Sequence, residues 1–144
     1  IVGQQVSTAA ARSICARLAL ACAPDSEYPT FPRAAALAAL EPDHFPMPGR
    51  RRAALQGLCQ QYSAGEELLD LDALAAAPGV GPWTLDMVRM RGAGEPDAFP
   101  RRDLGLERAW QALGGSATAL TEHAEHWRPW RAYAANLLWR SLAP

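Results

Sequence analysis

Apolar side chains recur at helical spacing along most of this chain. Val2, Val6, Ala9, Ala10, Ile14 and Leu18 fall on one stripe, with Gln4, Gln5, Arg12 and Arg17 elsewhere on the cylinder, which predicts an amphipathic helix from Ile1 to about Ala21. Its Gly3-Gln4-Gln5 start is a poor helix interior and reads as an exposed turn. Pro24 to Phe31 is a loop by composition, helix resumes from Arg33 to Leu40, and Glu41-Pro42-Asp43 stops it. His44 to Gly49 is a Pro-rich turn. The next helix opens on Arg50, Arg51 and Arg52 and carries Leu55, Leu58, Cys59 and Tyr62. A short acidic-to-apolar helix is predicted from Glu66 to Ala77, another from Pro82 to about Arg91, and a third from Asp103 to Leu113 with Gly114-Gly115 as its stop. Thr121 to Trp127 reads as a short helical turn. Pro129 then starts a final helix to about Leu142, apolar on two stripes, with Trp130 and Trp139 nearly opposite at about 100° per residue.

The stretch from Leu74 to Asp103 organises the rest. A helix end runs into the tight turn Pro78-Gly79-Val80-Gly81, and Pro82 suits the first position of the following helix. The turn presents backbone N–H groups at a helix start, where unpaired amides and the helix dipole both favour an anion such as a phosphate oxygen. A plain αα-hairpin explains the turn equally well when it is taken alone. Arg91 to Pro100 is a loop, rich in Gly and Pro, that delivers Asp103.

Composition adds limits. The chain has 144 residues, single-domain size, and is 49% hydrophobic, enough for one or two small helical cores. No run of about 18 apolar residues is present to span a membrane, and the start lacks a signal-peptide pattern. A net charge of −1 gives no global argument for nucleic acid. All 14 basic residues are arginine, so no side-chain amine can form a Schiff base with a sugar aldehyde. Arg50 to Arg52 fit either phosphate contact or a solubilising helix start. Cys15, Cys22 and Cys59 form no pairable or metal-ligand set, which points to a reducing compartment and to packing roles.

Four stretches, in order, carry a resemblance to one family: IVGQQVSTAAA from Ile1, LAAAPGVGPWT from Leu74 to Thr84, DAFPRRDLGLERA from Asp97 to Ala109, and HWRPWRAYAANLLW from His126 to Trp139. They resemble the helix-hairpin-helix DNA glycosylases, in the 3-methyladenine DNA glycosylase II (AlkA-like) branch. The match brackets nearly the whole chain, with the middle, about Ala23 to Asp72, matched only loosely. It implies an all-α fold of two helical lobes with a cleft between them, one glycosylase domain over residues 1–144 with its hairpin at about 74–91 and a catalytic loop at about 95–103. Such a domain is expected to be a piece of a longer chain, with an additional domain upstream of Ile1.

The resemblance also implies a chemistry. A glycosylase of this branch removes a flipped-out alkylated purine from double-stranded DNA by hydrolysing the N-glycosidic bond, in base excision repair. Positive charge builds on the sugar as that bond stretches, and a carboxylate below the ring stabilises it and orients the attacking water. Asp103 matches the catalytic position; as a plain residue it would be a helix N-cap, and the two readings are compatible. Trp83 and Trp139 match aromatic pocket positions, whose faces suit a cationic base. Met87 stands where the best-known member has a tyrosine, so the pocket is expected to be softer on that side. Gln5 matches the side chain that fills the gap left in the duplex, where the best-known members carry an apolar residue. Gln4, Gly79, Val80, Gly81 and Thr84 are the further DNA-contact candidates.

Trp83 also stands where strand-cutting relatives carry a lysine, so the reading is a monofunctional enzyme without lyase activity. No cofactor is expected to be required; the family's hairpin holds a monovalent cation, Na or K, on backbone carbonyls that here belong to Ala75, Ala77 and Val80. The four-cysteine iron–sulfur cluster of some relatives is expected to be absent, because all three cysteines lie upstream of the hairpin. His44, His123 and His126 read as structural. A cytoplasmic monomer acting on damaged duplex DNA is the expectation. A DNA-binding module of the same fold that has lost catalysis, and a glycosylase for another base lesion, stay open as alternatives.

Overall fold

A computed structural model describes residues 1–63 and 70–142. Among the described residues there are eight α-helices, three short 3-10 segments and no strand. The helices are α1 Thr8–Cys22, α2 Ala34–Ala39, α3 Gly49–Gln61, α4 Leu71–Ala76, α5 Pro82–Arg91, α6 Leu104–Ala112, α7 Leu120–His123 and α8 Arg131–Ser141, with 3-10 turns at Pro42–His44, Ala117–Ala119 and Ala124–Trp127. The chain divides into two compact units, Ile1–Gly79 and Val80–Pro144, each with its own core.

Caps explain where the helices start. Ser7 accepts a hydrogen bond from the Ala10 amide and opens α1, so the first helix begins at Thr8 and not at Ile1. The preceding residues form the turn that Gly3-Gln4-Gln5 suggested, and Gln5 there has a left-handed backbone with φ 55°. Asp70 caps α4 by accepting from the Asp72 and Ala73 amides, 2.9 and 3.0 Å away. The first part of the predicted Glu66 to Ala77 helix lies outside the described residues. The final helix starts two residues later than expected: the Arg128–Pro129 bond is cis, Trp130 is the N-cap, and Arg131 is the first helical residue.

The first unit is built around Val2, Leu18, Leu37, Phe45 and Cys59, with Ile14, Cys15, Cys22 and Leu55 packed against them. The three cysteines thus do fill core positions, and burial pushes the Cys59 thiol up. The second unit closes on Met90, Ala98, Phe99, Leu106, Ala109, Leu120, Ala124, Ala132, Ala135 and Leu138. Of the two stripes on α8, the one with Ala135 turns inward and brings Trp139 against this core. The other leaves Trp130, Tyr133 and Leu137 exposed. His123 stacks on Trp110 with ring centroids 4.6 Å apart, and His126 Nδ1 lies 3.1 Å from the His123 carbonyl, in keeping with structural roles. No described helix is long and apolar enough to cross a membrane.

Candidate active site

Asp103 sits at the N-cap of α6, where its Oδ1 accepts the Leu106 amide at 2.8 Å. That bond satisfies one orphan donor of the helix start and fixes the carboxylate's rotamer. Two tryptophans complete the setting. Trp139 Nε1, from α8, donates to Oδ1 at 2.9 Å, and Trp83 Nε1, from α5, donates to Oδ2 at 2.8 Å. Three N–H groups therefore hold one half-buried carboxylate from three different helices, all within the second unit. An ionised carboxylate has about four lone-pair sites, so one is left over, on Oδ2.

The approach to Asp103 is equally defined. Ala98, Phe99 and Pro100 are buried, and Arg102 takes a left-handed backbone with φ 59°, turning the chain sharply into the cap. Gly105 follows in the first turn of α6. A Cβ there would lie 3.0 Å from Asp103 Oδ1 and 3.1 Å from both Cδ1 and Nε1 of Trp139, so the indole can lie over the helix only because this residue has no side chain. In the sequence Gly105 is simply part of the segment Asp97 to Ala109.

Trp83 and Trp139 were expected to offer their ring faces to a base; the structure adds that their N–H edges grip the carboxylate. One face of Trp139 also carries the Arg91 guanidinium, 5.4 Å from the ring centroid. Met87, one turn after Trp83, packs partly buried against the core of the same unit. Asp86, on the same helix, has its carboxyl pushed up by burial, offset in part by Arg101 and Arg89 and by a hydrogen bond from the Arg101 backbone.

The loop that leads to Asp103 is clamped to the start of α8. Arg131, 7% exposed, gives its Nε to Asp97 Oδ1 at 2.7 Å and its Nη2 to Asp97 Oδ2 at 3.0 Å, while Nη1 reaches Glu125 Oε1 at 2.7 Å. Arg131 Nε also approaches the Asp97 carbonyl at 3.1 Å, and the Ala132 amide donates to the Pro96 carbonyl at 2.9 Å. Arg128 pairs with both carboxylates from the exposed side. The Arg131 hydrogen bond holds the Asp97 carboxyl below its ordinary range, and the Arg128 hydrogen bond does the same for Glu125. None of this network was anticipated from the sequence.

The hairpin turn contributes backbone. Gly79 is left-handed, φ 81°, and a Cβ on it would collide with Ala54 of α3 at 2.8 Å. Gly81 is the N-cap of α5 and offers no side-chain acceptor to its first amides, and Pro82 is the first helical residue. Val80 links the two glycines, and Thr84 lies in the first turn of α5. Gln4 Nε2 donates to the Gly79 carbonyl at 2.8 Å, so this predicted DNA contact also braces the hairpin turn within the first unit. Ala75 lies in the last turn of α4 and Ala77 is its C-cap. Arg50 is exposed and Arg51 and Arg52 are half-buried in the first turn of α3, which has no acidic residue there.

No family model matches the chain. Individual relatives do. The chain is 41% identical over 160 residues to a protein of Mycobacterium tuberculosis described as a probable bifunctional transcriptional activator/DNA repair enzyme AlkA, a match that covers 99% of this chain and 32% of that one. It is 30% identical over 154 residues to DNA-3-methyladenine glycosylase 2 of Escherichia coli, covering 96% of this chain and 54% of that one. Along nearly its whole length the chain is similar to the AlkA-like, DNA-3-methyladenine glycosylase branch of the helix-hairpin-helix proteins. It spans about a third and about half, respectively, of the length of these two relatives. The crystal structure of a DNA-3-methyladenine glycosidase from Bacillus halodurans superposes with a TM-score of 0.71 at 22% identity, covering 97% of this chain and 70% of that one. The AlkA-like chain thus has the all-helical glycosylase fold.

Proposed function

We propose that this chain is the catalytic domain of a DNA glycosylase that hydrolyses the N-glycosidic bond of flipped-out alkylated purines, the 3-methyladenine type, in duplex DNA. The observation that carries the reading is the grip of Trp83, Trp139 and the Leu106 amide on Asp103. Donors of this kind fix the direction in which a carboxylate faces, which is what electrostatic stabilisation of an oxocarbenium-like sugar needs. The remaining lone pair on Oδ2 is the position from which a water can be oriented or deprotonated. A ring-alkylated purine is already activated as a leaving group, so a site with one carboxylate and no separate general acid suffices.

The supporting residues take roles in the same reading. The rings of Trp83 and Trp139 with Met87 line the base pocket, Gln5 enters the gap in the duplex, and Gln4, Gly79, Val80, Gly81 and Thr84 meet the backbone. The Ala75, Ala77 and Val80 carbonyls are neutral oxygen donors near a helix end, where carbonyls lack intrahelical partners, and fit a monovalent cation; its bound charge would favour a DNA phosphate at the turn. With tryptophan at position 83 and no lysine in the chain, no amine attacks C1′, so the product is an intact abasic strand.

The test is single-turnover base release from methylated duplex DNA by this domain beside Asp103→Asn. Release that falls by three or more orders of magnitude in a folded, DNA-binding Asp103→Asn supports the reading. Equal release by parent and variant rejects it.

A further inference from the structure

Arg131 is nine-tenths buried and is absent from the chemistry described above. Its guanidinium is spent on fixing one relation. On one side it holds Asp97 through both carboxylate oxygens and the carbonyl, six residues before Asp103. On the other it is the first residue of α8, whose Trp139 donates to Asp103 Oδ1. The loop and the helix thus meet twice, once at Arg131 and once at Asp103.

Between those two meeting points both arms are stiff. Along the loop, Ala98, Phe99 and Pro100 are buried and Pro100 is among the fully buried side chains, so the segment has little freedom to absorb a shift. Along α8, eight residues of helix separate Arg131 from Trp139, about 12 Å at 1.5 Å per residue. A displacement at the Arg131 end is carried to the carboxylate–indole contact at the other. Glu125 completes the acceptor set by taking Nη1, so that each of the three guanidinium nitrogens has a carboxylate partner.

We propose that Arg131 is a positioning residue for Asp103: its two-carboxylate clamp on Asp97 and Glu125 sets the register between the Asp103 loop and the Trp139 helix, and so the direction in which the carboxylate faces. The proposal rests on the glycosylase reading for its catalytic consequence, but not for its geometric one. A lysine at 131 keeps the charge and loses the planar fork that engages both Asp97 oxygens at once.

The experiment uses Arg131→Lys and Asp97→Asn with two readouts. The first is the indole 1H–15N spectrum, in which the five tryptophans give five signals and Trp→Phe variants assign those of Trp83 and Trp139. Trp83 is decisive, because it stands on α5 and reaches Asp103 through Oδ2. Its signal is expected to move in both variants while far-UV circular dichroism stays that of a folded helical protein. The second is single-turnover base release resolved into rate constant and amplitude. The rate constant is expected to fall about tenfold with amplitude and DNA affinity kept, whereas lost folding alone lowers the amplitude. Folded variants whose Trp83 signal stays at the parent position overturn the proposal. A parent that releases no base rejects the glycosylase reading, and the indole spectrum still decides the positioning one. If Arg131→Lys does not fold, Glu125→Gln carries the same test from a side chain that is 48% exposed, with the same shift expected and the same absence of shift overturning it.

Discussion

Trp139 crosses Gly105 so closely that one added methyl group would stand 3.1 Å from its Cδ1 and Nε1 and 3.0 Å from Oδ1 of Asp103. Ordinary carbon contacts lie at about 3.5–4.0 Å, so Gly105→Ala must push the indole away, and the indole's hydrogen bond to Asp103 lengthens with it. Alanine is otherwise the better helix former, by roughly 1 kcal/mol, which offsets part of the crowding. The expected outcome is a domain with a Tm near that of the parent and base release slowed at least tenfold, measured by thermal unfolding and single-turnover kinetics on the same preparation.

Removing the indole donors while keeping aromatic bulk separates their two roles. Trp139→Phe and Trp83→Phe each delete one hydrogen bond to a charged acceptor, a loss of about 1.5–3 kcal/mol that corresponds to roughly 10- to 100-fold in rate when it is felt in the transition state. Each single variant is expected to release base in that range below the parent. The double variant should lose more than the product of the two, because in each single variant the remaining indole still directs the carboxylate. Full activity in both single variants would assign the tryptophans to base stacking alone.

The caps and stops of this domain are legible in its sequence, because they depend on neighbours. Pro82 at the start of α5, Asp103 before α6 and Gly114 after it, with φ 88°, each act within one turn of the chain. The apolar stripe of α1 continues through Val2 and Val6 and so predicts too early a start, although Ser7 is the better cap; α8 starts later than its proline suggests, because Pro129 precedes the helix and Trp130 is the N-cap. The site is legible only in part. Helical periodicity puts Trp139 on one of two apolar stripes without saying which turns inward, and the bonds of Trp83 and Trp139 to Asp103 span 20 and 36 residues, where no local rule aims an indole N–H. The burial of Arg131 has no signature either, since a buried arginine and a surface one read alike.

The Asp97–Glu125–Arg131–Arg128 network gives the fold an acid-sensitive edge. Both carboxyls are held below their ordinary values in the folded state, so the unfolded chain binds more protons there than the folded one as the pH falls. The contribution is fully present above the ordinary carboxylate range, about pH 4–5, and is lost as the pH drops through the depressed folded values. Thermal unfolding from pH 7 down to pH 2.5 is expected to show a steeper fall in Tm below about pH 4 for the parent than for Asp97→Asn.

Asp86 runs the other way. Burial raises its folded-state value, so its contribution to stability is present at low pH and is lost as the pH rises through that raised value. Asp86→Asn keeps an acceptor for the Arg101 backbone and removes the charge. Its Tm is expected to equal or exceed that of the parent at pH 7, with the difference vanishing near pH 3. A clear loss of stability at pH 7 would mean that the pairing with Arg89 and Arg101 outweighs the cost of burial.

The hydrogen bond from Gln4 to the Gly79 carbonyl joins residues 75 positions apart, the opening turn of the first unit and its last residue. It works as a clasp: it ties the opening turn to the hairpin turn, so that neither leaves its place without releasing the other. Amide hydrogens in the Gln5 turn and around Gly79 are therefore expected to exchange through one shared opening event, despite lying at opposite ends of the unit's sequence. Gln4→Ala would split that event in two.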